Sequence, residues 1–139
     1  MISLNSVDVV KPKFIKSLVL SEGFVSGDIA IVFCSDEYLL KVNQDFLNHD
    51  YYTDIITFDY CENGLINGDL LISLERVFEN SSKEKTSFQE ELHRVIFHGV
   101  LHLCGYKDKF KKDIEMMRFK ESHYLNLYVP RETLGDSKK

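Results

Sequence analysis

The sequence predicts an α+β fold, a small mixed sheet of about four strands packed with about five helices. Three observations lead there. Short β-branched and aromatic runs lie between Gly and Asn turn signals in the first half of the chain. Apolar residues recur at helical spacing through much of the second half. Ser35 and Ser87 stand where a helix N-cap is needed, each with acidic residues just behind it.

Taken in order, residues 2–9 alternate polar and apolar in the manner of a strand. Pro12 suits the first turn of a helix that runs to about residue 21, and Gly23 and Gly27 bracket a turn. Residues 29–33 form an almost wholly apolar strand. Ser35 opens a helix reaching about residue 47, and the polar, aromatic segment 48–54 leads into a strand at 55–58. Asn63-Gly64 is a turn signal, and Gly68-Asp69 precedes a strand at 70–72. A weak helix follows Ser73 and is broken by Ser81-Ser82. Ser87 and Glu90 form a capping box for a helix with apolar positions Leu92, Val95, Ile96, Val100, Leu101 and Leu103. Gly105 is its natural stop. A last helix spans about 113–127, and residues 134–139 read as a mobile tail.

Length and composition bound the rest. The 139 residues suit one domain, with 44% hydrophobic and 28% charged residues. No apolar run approaches the roughly 20 residues of a membrane-spanning helix, and the first 14 residues lack the features of a secretory signal. No membrane partner is expected, and the cytoplasm is the expected compartment. Cys34, Cys61 and Cys104 are too irregularly spaced for a disulfide framework and read as core or near-core side chains.

The chemistry lies in His98-Gly99-Val100-Leu101-His102-Leu103-Cys104-Gly105-Tyr106-Lys107-Asp108. Histidines four apart share one helix face and can grip one ion. Gly105 lets the chain reverse, so that Asp108 returns toward the same point. Two imidazoles and a carboxylate leave a coordination position open, as a catalytic zinc requires. The spacing matches the long motif of metzincin-type hydrolases. The glutamate that serves those proteases as general base is replaced by Gly99, which speaks against peptide hydrolysis. Nickel, iron and copper also accept such ligands.

These residues resemble the signature H-G-x-L-H-L-x-G-Y-D-H of the YbeY endoribonucleases, or rRNA maturation factors. Upstream, residues 42–47, Thr53-Asp54-Ile55-Ile56-Thr57-Phe58 and Gly68-Asp69-Leu70-Leu71-Ile72-Ser73 are similar to further motifs of that family, so the likeness runs in order from about residue 28 to 125. The resemblance implies a single-strand-specific, zinc-dependent endoribonuclease that matures the 3′ end of small-subunit ribosomal RNA and takes part in ribosome quality control. It implies one zinc ion on His98, His102 and Asp108, with single-stranded and ribosomal RNA and the ribosome or its small subunit as partners. Two departures stand out: Asp108 replaces the family's third histidine, and Leu47 replaces a basic residue. The alternatives are a non-catalytic, metal-stabilised ribosome-binding module and a zinc hydrolase of another substrate.

Weaker candidates surround this motif. Asp54 is the candidate general base, against a plain role in capping its loop. Lys107, Lys109 and Lys111, with Lys112, Arg118 and Lys120, could meet phosphates or simply be solvated. His93 points off the metal face and reads as a surface histidine, and His49 as a solvated loop residue. Tyr51, Tyr52, Phe58 and Tyr60 could stack on bases, but the expectation is that they belong to the core. Met116 and Met117 read as packing residues. Residues 1–60 hold nine acidic and four basic side chains and carry the whole net charge of −5. Residues 105–120 hold six basic and three acidic ones, so overall acidity does not exclude RNA.

Overall fold

The computed structural model describes the backbone of residues 9–137 and the side chains of these as far as residue 128. Pro12 opens α1 (Pro12–Ser21), which ends at Glu22 and turns at Gly23, φ +92°. β1 (Val25–Cys34) follows. The Ser35 hydroxyl accepts from the Tyr38 amide and starts α2 (Asp36–Leu47). Asn48, left-handed at φ 57°, ends it. β2 (Ile55–Asp59) and β3 (Leu65–Ser73) form a hairpin. Its turn places Asn63 and Gly64 consecutively at positive φ, 51° and 80°, the primed geometry that fits strand twist. Then come α3 (Leu74–Glu84), α4 (Phe88–Leu103) and α5 (Lys111–Ser137).

The sheet has three strands among the described residues, in the order β1-β3-β2. β1 runs parallel to β3, and β2 antiparallel to it. A fourth strand was expected at residues 2–9; residues 1–8 lie outside those described, and Val9 is irregular. β3 begins earlier than its apolar core suggests, so Gly68 and Asp69 lie inside the strand. A Cβ on Gly68 would stand 2.6 Å from the Phe58 carbonyl and 2.7 Å from Leu103, so the glycine permits close approach rather than a turn.

Side chains alternate across β3. Leu70 and Ile72 face the main core with Leu92, Ile96, Phe97, Val100 and Leu101 of α4, while Leu71 packs with Leu39, Val42 and Ile56 beneath α2. Each fully buried aliphatic or aromatic side chain contributes about 1.5–3 kcal/mol relative to exposure. The parallel strands β1 and β3 both feed helices at the same end of the sheet. Those helix starts cap one another: Asp36 accepts from the Ser73 hydroxyl at 3.1 Å and from Arg76 at 2.6 Å, while the Asp36 amide donates to Glu75 at 2.7 Å.

Several expectations change. Ser81-Ser82 does not break α3, because the buried Ser81 hydroxyl donates to the Phe78 carbonyl at 2.7 Å and is satisfied within the helix. The helix stops instead at left-handed Lys85. His93 is buried, not a surface residue. α4 is enclosed on most sides, so the face away from the metal motif is core, and the ring packs 4.7 Å from that of Tyr128. α5 is longer than expected at both ends, and its backbone stays helical to Ser137 where a tail was expected. Residues 138–139 lie outside the description. Cys104 is buried and Cys34 and Cys61 are partly so, all three free thiols near the core. No helix among the described residues is long and apolar enough to cross a membrane.

Candidate metal centre

α4 has ten buried residues, and from Glu91 to Leu103 only Arg94, His98 and His102 are partly open. Their four-residue spacing makes one stripe along the helix, so the periodicity that buries the rest delivers both histidines to one cleft. Gly105, at φ +105°, allows the reversal after the helix. Asp108 comes back with Oδ2 3.1 Å from His98 Nε2 and 3.3 Å from His102 Nε2. One ligand atom from each of the three residues lies within 4.8 Å of the others.

The other ring nitrogens fix which atoms face Asp108. His102 Nδ1 is 2.8 Å from the Tyr106 carbonyl, which can only accept, so Nδ1 carries the proton. His98 Nδ1 donates to Glu121 at 2.6 Å. In the neutral imidazoles both Nε2 lone pairs therefore face the Asp108 carboxylate, and two imidazole nitrogens with a carboxylate oxygen are a donor set that fits a metal ion. The same carboxylates act on His98: burial opposes its ionisation, but the Glu121 hydrogen bond and charge, with Asp108 and Asp54, outweigh burial and raise its pKa.

Two clefts meet at this point. The first, about 370 Å³, is lined by Asp54, Glu91, Arg94, Arg118 and Glu121 around His98 and Asp108. The second, about 430 Å³, runs from both histidines past Asp54 and Thr57 to Leu47, His49 and Tyr51. Asp54 lines both, and burial raises its pKa, partly offset by the charge of His98. Its carboxylate also accepts from Asn80 at 3.4 Å. Glu91 is buried too, and burial and then the charge of Asp54 raise its pKa. Lys107, Lys109 and Lys111 are exposed and line neither cleft, whereas Arg118 lines the first. Lys120 is held by Glu22 at 3.2 Å. Met117 is buried and Met116 half-exposed.

The tyrosines expected in the core are not there. Tyr51, Tyr52 and Tyr60 are exposed, and only Phe58 packs partly into the cluster beneath α2. Each tyrosine lies in a loop or just past a strand end. Gly99 is pressed against the sheet: a Cβ would meet Ile55 at 2.7 Å and Leu70 at 2.9 Å. The protease glutamate therefore has no room at this position.

Sequence reasoning missed Glu121, Arg94 and the Tyr106 carbonyl. Glu121 is 3% exposed and bonds Arg94 at 3.1 Å as well as His98. It had a signal, an acid set in the helical repeat of Ile114, Met117, Tyr124 and Leu125 at a position that periodicity assigns to the core. Arg94, four residues before His98, had the same stripe spacing. A backbone carbonyl carries no side-chain signal.

Comparison with known proteins bears on the family. The family model described as endoribonuclease YbeY matches residues 6–129. A protein of Porphyromonas gingivalis named endoribonuclease YbeY is 54% identical over 123 residues, 88% of this chain and 80% of that protein. One of Bacteroides fragilis with the same name is 57% identical over 99 residues, 71% of each. The solution structure of a Thermotoga maritima protein superposes with a TM-score of 0.65 at 26% identity, covering 91% of this chain and 84% of that one. With the family's model spanning most of its length and relatives above half identity, the chain belongs to the YbeY endoribonuclease family.

Proposed function

We propose that this chain hydrolyses phosphodiester bonds in single-stranded RNA with one zinc ion held by His98, His102 and Asp108. Its task is maturation of the 3′ end of small-subunit ribosomal RNA and ribosome quality control, in the cytoplasm and in contact with the ribosome or its small subunit. The observation that carries the metal assignment is the convergence of a carboxylate oxygen on two Nε2 atoms whose rings are already held through Nδ1.

When bound, such an ion supplies Lewis-acid polarisation of a phosphoryl oxygen and eases deprotonation of the attacking hydroxyl. The chain's own residues do the rest. Glu121 and the Tyr106 carbonyl hold the two imidazoles in one tautomer and orientation. Asp54, in the wall shared by both clefts, takes the proton of the nucleophile. Arg118, exposed at the mouth of the first cleft, is a phosphate contact.

Cleavage of an unstructured RNA by wild type, His98→Ala and His102→Ala, with metal analysis of each, tests this reading. Wild type is expected to hold one ion per chain and cut, and both variants to lose ion and cleavage together. Full cleavage by either histidine variant would overturn it. Asp54→Asn is expected to lower kcat by about 10²-fold or more with little change in KM, as loss of a general base does.

A further inference from the structure

Resting on the RNA-cleaving reading, we infer that His49 and Tyr51 form a stacking platform for an unpaired base adjoining the bond to be cut. The second cleft joins the metal centre directly to this pair. Their rings lie parallel, 5.1 Å between centroids and 19° apart, and Tyr51 Oη is 2.9 Å from His49 Nδ1. Tyr51 is 56% exposed, so its ring faces water although it sits at the cleft.

The platform is built before any ligand arrives. The buried Asn43 side chain donates to the Tyr51 carbonyl at 2.9 Å, and the His49 amide donates to the Asn43 carbonyl at 3.0 Å. Gln44 donates to Asp50 at 2.6 Å. A loop tied at three points loses little further entropy when it binds.

Charge identifies the occupant. No lysine or arginine is among the described residues lining this cleft, and its α2 rim carries Leu47. Away from the metal position, a polyanion gripped there through its phosphates would find no lysine or arginine, whereas every base has a face that stacks on an aromatic ring. Duplex RNA keeps its bases stacked on one another, so a platform of this kind selects single strands. Tyr52, next in the chain, does not serve: it lies outside the cleft lining, and the Arg76 guanidinium covers its ring at 4.9 Å.

The test uses the metal-loaded protein and a single-stranded RNA oligomer that carries one 2-aminopurine and is blocked against cleavage by 2′-O-methylation. Binding to wild type should quench the 2-aminopurine. Tyr51→Ala should abolish the quenching and weaken binding by roughly 5- to 150-fold, the range of one lost stacking contact. Tyr51→Phe should retain most of both, and Tyr52→Ala should bind within about twofold of wild type. On the unblocked oligomer, Tyr51→Ala should raise KM and leave kcat within about twofold. If Tyr51→Ala binds and quenches like wild type while wild type cuts RNA, the platform is wrong and the RNA-cleaving reading stands. If wild type neither binds nor cuts the oligomer, both are wrong.

Discussion

At the scale of single residues, the centre depends on what lies behind the ligands. Glu121 is a buried carboxylate shared between His98 and Arg94, so it fixes one imidazole and neutralises one guanidinium at once. Glu121→Gln keeps the shape but removes the charge and orients His98 less strongly. Metal affinity should fall about 10- to 100-fold, the usual effect of losing such a partner, as measured by competition with a chelator. His102, held by a backbone carbonyl, should be untouched. Gly99 is the complementary case. Gly99→Ala would push a methyl into the tips of Ile55 and Leu70, and thermal unfolding should report a loss of about 1–3 kcal/mol. The convergence of His98, His102 and Asp108 was legible in the sequence because helical spacing and a stop glycine are local signals. The buried Glu121 partnership joins positions 23 apart and was not.

Among the elements, α1, the turn after α4 and α5 are joined at Glu22. This carboxylate at the end of α1 accepts from the hydroxyls of Tyr106, at 2.7 Å, and Tyr124, and from Lys120 at 3.2 Å. Tyr106 is also the residue whose carbonyl orients His102, so the cluster braces the metal turn from behind. Burial alone would raise the Glu22 pKa; the hydrogen bonds from Tyr124, Tyr106 and Lys120 outweigh it and hold the pKa below the usual 4.5. Tyr124 rises in turn to about 12, through burial and then its bond to Glu22. A lowered carboxyl pKa stabilises the fold above the unfolded value near 4.5, and that stabilisation is lost as pH falls through the lower folded value. Glu22→Gln should therefore lower Tm at neutral pH and flatten its decline below about pH 4.5. The element boundaries at Pro12, Ser35, Ser87 and Gly105 were readable because caps and breakers act locally. The run through Ser81-Ser82 was not, since whether a serine breaks a helix depends on where its hydroxyl finds an acceptor. The burial of His93 was hidden for a similar reason: it depends on what packs against the far side of α4.

For the whole molecule, the distribution of charge matters more than its sum. The excess of acid lies in residues 1–60, and the basic segment at 105–120 presents lysines outside both clefts. Binding to RNA should therefore depend only weakly on salt. Each phosphate neutralised on a single strand contributes a slope of about −0.7 in log K against log salt, so a grip on two or three gives about −1.4 to −2.1. A slope of about −5 would mean an extended basic surface instead. The α+β class was legible from periodicity, whereas the strand order β1-β3-β2 was not, because the sheet is closed by pairings between distant segments.

The central claim is that RNA cleavage belongs to an ion on His98, His102 and Asp108. The measurement that tests it most directly is a titration of zinc into metal-stripped protein, following cleavage of an unstructured RNA. Activity should rise from the baseline and level off at one equivalent per chain, and the His102→Ala protein should show no rise. Undiminished cleavage by the stripped protein, or an equal rise with His102→Ala, would contradict the account.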